Sequence, residues 1–193
     1  MADDDETRPA AAQYPRPRHP ASVLEAKALA HPLRLRILRL CAGRELTNKQ
    51  LADELDSDPG TVHFHVRLLV RAQLLEQTAV RTGASGALEK PYTSTGRTWW
   101  LTNPIAETGP AAAMAPIEAF RDEVLAAGPD SVATFARFVL HLSDDDVTEL
   151  DERIIAILDE YVETDHERRH LPAHGGIFVL HRLAPIPKED PPS

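Results

Sequence analysis

Residues 47–72 read TNKQLADELDSDPGTVHFHVRLLVRA, and this stretch decides the fold. Thr47 followed three residues later by Gln50 is a capping-box pair, each side chain satisfying a backbone donor at a helix start. Leu51 and Leu55 mark the inner stripe of that short helix. Asp56-Ser57-Asp58 is a turn. Asp58 caps a further helix with Pro59 at its first position, where a missing N–H costs nothing. That helix runs to about Ala72. Its Val62, His65, Val66 and Leu69 fall at i, i+3, i+4 and i+7, the spacing of a buried face. Thr61, His63, Phe64, Arg67 and Arg71 are left on or near the other faces.

Upstream, Ser22 and Glu25 form another capping box, opening a short helix over 22–30. Pro32 suits the first turn of the next helix. There Leu35, Leu38 and Cys41 follow an apolar stripe with Ile37 and Leu40 beside it, and Gly43 is a natural stop. Arg34, Arg36 and Arg39 are interleaved and read as a solvated face. Downstream, 74–80 (LLEQTAV) reads as a strand, RTGASGALEK as a hairpin loop, and PYTST with RTWWL as the return strand. Three helices, a short turn before the third, then a hairpin make a winged helix-turn-helix over 21–103.

The rest is less distinctive. Residues 111–127 form a helix, bent or started at Pro116, within a linker and dimerisation segment over 104–128. VATFARFVLHL (132–142) reads as a strand. Ser143 with Asp144, Asp145 and Asp146 starts a helix of about 20 residues, because carboxylates in the first turn complement the macrodipole. GIFVLHRL (176–183) reads as a second strand, pairing with the first. The fold class expected is therefore α+β: a winged helix-turn-helix domain followed by a small helix-strand-helix-strand unit over 129–184. Residues 1–20, acidic and Pro-rich, and 185–193 read as disordered tails.

Composition narrows the classes. The net charge of −9 hides an asymmetry. Residues 14–100 carry +5 and residues 101–193 carry −11, so a mildly basic segment is joined to an acidic one. No apolar run approaches the ~18 residues of a membrane span. The N-terminus lacks the apolar core of a secretory leader. A single cysteine, Cys41, excludes an intrachain disulfide and a Cys-based zinc cluster, and a reducing cytoplasmic setting is expected.

KALAHPLRLRILRL, ELTNKQLADEL and GTVHFHVRLLVRAQLL, in this order and at this spacing, resemble the ArsR-like winged-helix transcriptional regulators of bacteria. The resemblance covers roughly 22–100, about 40% of the chain. YTSTGRTWWL also resembles actinobacterial-type members with a C-terminal α+β extension. The resemblance implies a dimer on operator DNA, with repression the family habit and the 22–30 and 111–127 helices as the dimer seam. It implies that the 59–72 helix reads the major groove. Thr61 and His63 would then face base edges, Phe64 a thymine methyl, and Arg67 a base or a phosphate. The N–H groups of Gly60 and Thr61 would meet a phosphate oxygen. Asn48 and Lys49 would touch backbone, and Arg81, Lys90 and Arg97 would serve the wing. Metal-sensing members place a Cys-x-Cys pair where this chain has Thr47 and Lys49, which excludes soft-metal sensing there. The family's usual glycine after the reader is Gln73 here.

His166, His170 and His174 are spaced four apart, but Pro172 separates the last, and a solvated helix end is expected rather than a metal site. His141 and His181 can face each other across the two expected strands. No nucleophile elbow, phosphate-binding glycine loop or paired-acid constellation is visible, so no enzyme, cofactor or metal is expected. The acidic 129–184 unit would lie away from DNA, holding the dimer or binding an effector or partner protein. The alternative is a protein-interaction module built on the winged fold without DNA specificity.

Overall fold

Each helix begins where a capping residue puts it. In the computed structural model, which describes residues 17–83, 86–102 and 109–184, the chain runs as follows. β1 (His19–Pro20) leads into α1 (Val23–Leu29), and α2 (Pro32–Leu40) follows with His31 as its cap. Next come β2 (Leu46–Thr47), α3 (Asn48–Leu55) and α4 (Pro59–Arg71). Then come β3 (Leu75–Gln77), β4 (Arg81–Thr82), β5 (Leu88–Glu89), β6 (Pro91–Ser94) and β7 (Leu101–Thr102). α5 (Pro110–Ala127) and α6 (Asp144–Glu163) complete the elements. The expected capping boxes at Ser22/Glu25 and Thr47/Gln50 are both formed, as is the Asp58 cap with Pro59 in the first turn.

α1 to α4 enclose one core, in which Ile37, Leu51, Val62, Val66, Leu69 and Leu74 expose no surface. β6 is the central strand of an antiparallel sheet ordered β2-β6-β3, with Leu46 opposite Tyr92 and Leu75 opposite Ser94. β4 and β5 pair as the outer part of the wing. Gln73, in the position where a glycine was expected, takes the left-handed conformation at φ 57°. Thr95 Oγ1 donates to its carbonyl at 2.9 Å and Arg97 to its side-chain oxygen at 2.8 Å, which ties down the strained turn.

Several expectations are corrected. β2 is a third strand that the sequence did not announce; two residues are too few to show a period. Arg97–Trp100 is a 3-10 turn, and only Leu101–Thr102 beyond it is strand. β7 pairs in parallel with β1, so 17–20 are ordered chain where a tail was expected. Residues 1–16 and 185–193 of the expected tails lie outside the described residues, as does 103–108 in the expected linker. Pro116 sits inside α5. Residues 132–142 and 176–183 form no strand and no ladder with each other, so His141 and His181 do not meet across a sheet. The physical reason lies in VATFARFVLHL, whose alternation puts apolar side chains on both faces. A two-stranded sheet is marginal by itself, and α6 can cover only one side.

α5 lies along α2. Ala112, Ala115 and Ala119 are buried on α5, a small-residue ridge that allows close approach. Arg39 of α2 pairs with Glu123 at 2.8 Å, and Arg36 with Asp122 at 3.8 Å. Burial raises the Glu123 carboxyl pKa despite both arginines. α6 is tied to the winged domain by Asp159. Arg18 donates to both its oxygens at 2.7 and 3.0 Å, and Trp99 Nε1 donates at 2.6 Å. The Arg18 guanidinium also lies over the Trp99 ring at 5.2 Å. Partial burial pushes the Asp159 carboxyl up, but these two donors and the Arg18 charge hold it below the usual carboxylate range.

Candidate nucleic-acid interface

The interface is built from α4 outward. Val62, His65, Val66 and Leu69 are buried as expected, which rigidly sets the opposite face. That face presents Thr61, His63, Phe64, Arg67 and Arg71, all exposed. Phe64 is 66% exposed, so packing does not account for it. It is an apolar side chain held at the surface among polar ones. A 13-residue helix is about 20 Å long at 1.5 Å per residue. A helix of this diameter fits a major groove about 12 Å wide.

The starts of α3 and α4 meet. Asn48 Nδ2 donates to the Pro59 carbonyl at 2.9 Å, bracing the two helices, while Lys49 and Gly60 are exposed beside this junction. Asp56 turns the chain between the helices in the left-handed region, at φ 47°. The Thr61 N–H donates to Asp58 at 2.9 Å, so of the two N–H groups expected to meet a phosphate, Thr61's already has a partner. Asp58 also adds a negative charge at that helix end.

The wing residues are placed differently from one another. Arg81 is half exposed and pairs with Glu89 at 3.2 Å and Glu45 at 3.9 Å. Lys90 is exposed. Arg97 reaches Gln73, beyond the C-terminal end of α4, and pairs with Glu25 at 3.1 Å. It therefore lies some 20 Å along the helix from Thr61, and the structure does not bring it to the other candidates.

Arg34 supports α4 from beneath, and sequence reasoning placed it wrongly. Expected on a solvated face, it is buried. Its Nε donates to the Ala28 carbonyl at 2.6 Å and its Nη2 to the Lys27 carbonyl at 2.7 Å, capping the last turn of α1. Its Nη1 meets His65 Nδ1 at 3.2 Å. A guanidinium can only donate, so His65 is held as the neutral tautomer carrying its proton on Nε2. The His31 ring packs against the His65 ring, tilted by 46° at a centroid distance of 4.5 Å. One arginine thus ties α1, α2 and α4 together. Desolvation foremost, then the charges of His31 and Arg34, pull the His65 pKa down to about 4. The signal was present: residues 34, 37, 38 and 41 are spaced i, i+3, i+4, i+7, and the true buried stripe of α2 is Arg34, Ile37, Leu38 and Cys41. Arginine's charge hid it.

Cys41 is fully buried, and desolvation pushes its thiol up to about 12. Among the described residues no group of three or more His, Cys, Asp or Glu side chains is placed to hold a metal. His166, His170 and His174 lie beyond the end of α6, in a 3-10 turn and coil, where helical i, i+4 spacing does not apply. No helix among the described residues is long and apolar enough to cross a membrane.

Residues 29–78 match a family model described as a helix-turn-helix domain. The match begins at the last residue of α1 and ends just past β3, about a quarter of the chain. This segment carries a helix-turn-helix domain. No curated protein matches the chain.

Proposed function

We propose that this chain, a DNA-binding transcriptional regulator by its helix-turn-helix domain at 29–78, acts as a cytoplasmic homodimeric repressor that reads a pseudo-palindromic operator. The observation that carries this reading is the division of α4 into a buried face locked to Arg34 and a free face of Thr61, His63, Phe64 and Arg67. In this reading Thr61 and His63 hydrogen-bond base edges, Phe64 packs on a thymine methyl, and Arg67 takes a guanine or a phosphate. Lys49 and the Gly60 N–H hold the phosphate backbone, and Asn48 serves by bracing the two helix starts. Arg81 and Lys90 of the wing reach the neighbouring groove. Two copies of α4, one helical turn of DNA (~34 Å) apart, then read two half-sites. The acidic half is kept off the phosphates by its own charge. No resident cofactor or metal takes part.

In vitro selection from fragmented genomic DNA, followed by fluorescence anisotropy at two salt concentrations, tests this. A preferred sequence is expected, with affinity falling steeply as salt rises. Arg67→Ala is expected to weaken the selected site about 5- to 150-fold, roughly 1–3 kcal/mol for a base contact. Equal, weak binding to all sequences, unchanged by Arg67→Ala, would overturn the reading in favour of a protein-interaction module.

A further inference from the structure

Beyond α5 the chain exposes apolar side chains on a scale that a solvated monomer does not sustain. Phe135 is 80% exposed, Tyr161 64% and Phe138 48%. At 150–250 Å² per buried ring, these three alone leave roughly 290–480 Å² uncovered. Val139, Leu140, Ile157 and Leu183 are each more than half exposed as well. The rings alone reach the few hundred Å² at which exposed apolar surface marks an interaction site.

The backbone shows the same deficit. Among the described residues no backbone–backbone hydrogen bond reaches 132–142 or 172–184. Two apolar segments with unpaired N–H and C=O groups are strands without a sheet. The second of them borders an open cavity of about 620 Å³ between α5 and the start of α6, lined by Ile117, Val147, Phe178 and Leu180 among others.

We propose that residues 132–142 and 176–183 are the strands of a sheet that forms only between two copies of this chain, each copy's segments and α6 covering the other's apolar side chains. This rests on the dimeric reading above and locates its main interface in the C-terminal half, rather than in the α1 and α5 seam that the resemblance implies. A second copy fits for two reasons. A row of unpaired backbone groups is met by the same row related by a two-fold axis, where residue i bonds j and j bonds i. The charges also complement. The two segments carry Arg137 and Arg182 with no acid, whereas α6 carries nine acids against Arg153 alone. Arg182 already faces Asp144 of its own α6 at 3.4 Å, so Arg137 is the charge offered across the interface, where it offsets part of the other copy's acidic helix.

Sedimentation velocity and amide hydrogen exchange on the full chain test this together, at a concentration that assembles it and after dilution. A dimer is expected in which the amides of 133–141 and 177–182 exchange at least tenfold more slowly than in the diluted chain. Phe135→Asp with Phe138→Asp, both surface positions, is expected to yield a monomer that keeps the helical content of α1 to α4. A chain monomeric at all concentrations, or a dimer whose 133–141 amides exchange as fast as in the monomer, overturns the proposal. Arg67→Ala separates the two readings. It is expected to weaken binding to the selected DNA site and leave sedimentation and exchange unchanged.

Discussion

Acidification should loosen the winged domain through one side chain. His65 is buried and neutral, its Nδ1 accepting from Arg34, with the His31 ring packed at a tilt beside it. Its pKa is held at about 4 against 6.5 for a solvated imidazole. The unfolded chain therefore binds a proton between these values that the folded chain refuses. Stability is whole above pH 6.5, falls as pH drops through the window, and levels off below about 4. At about 1.4 kcal/mol for each tenfold gap, the loss from this group is about 2 kcal/mol between pH 7 and pH 5 and about 3 by pH 4. Other groups titrate too, so the measured quantity is a difference. Urea unfolding followed by far-UV circular dichroism, at fixed protein concentration, compares the chain with His65→Gln at pH 7 and pH 5. The variant is expected to be less stable at pH 7, because Arg34 loses the ring, yet to lose about 2 kcal/mol less on going to pH 5. Equal losses in both proteins would refute the account of a neutral imidazole locked by Arg34.

Asp159→Asn should release α6 from the winged domain, since two charge-assisted bonds from Arg18, each worth about 1.5–3 kcal/mol, become neutral ones or vanish. Trp99 and Trp100 are the only tryptophans, so a red-shifted emission and stronger iodide quenching report the release; unchanged spectra would sink it. Cys41, buried with its thiol pushed up to about 12, should resist a thiol reagent at pH 8 in the native chain and react fully in urea. Rapid native labelling would contradict its core placement. Asp58→Ala removes the side-chain acceptor of the Thr61 N–H and should cost about 1 kcal/mol in urea unfolding. A change below a few tenths would mean that the cap is idle.

The winged domain was legible because its signals are local. Capping boxes, Pro at a first helical position and the 3.6-residue stripe of Val62, His65, Val66 and Leu69 are written within single helices, and the structure realises each one. The exposed face of α4 follows from the same stripe by exclusion. What stayed hidden depends on residues far apart in the chain. The burial of Arg34 is set by carbonyls at the end of α1 and a ring 31 residues away, a geometry that no charge or periodicity encodes. Strands are the clearest case. β2 exists because β6 supplies its edge, whereas 132–142 and 176–183 have strand composition and find no edge in the chain. A helix closes its hydrogen bonds within itself, so sequence alone determined α1 to α6. A strand closes them on another segment, so only the tertiary structure decided which strand-like stretches became sheet.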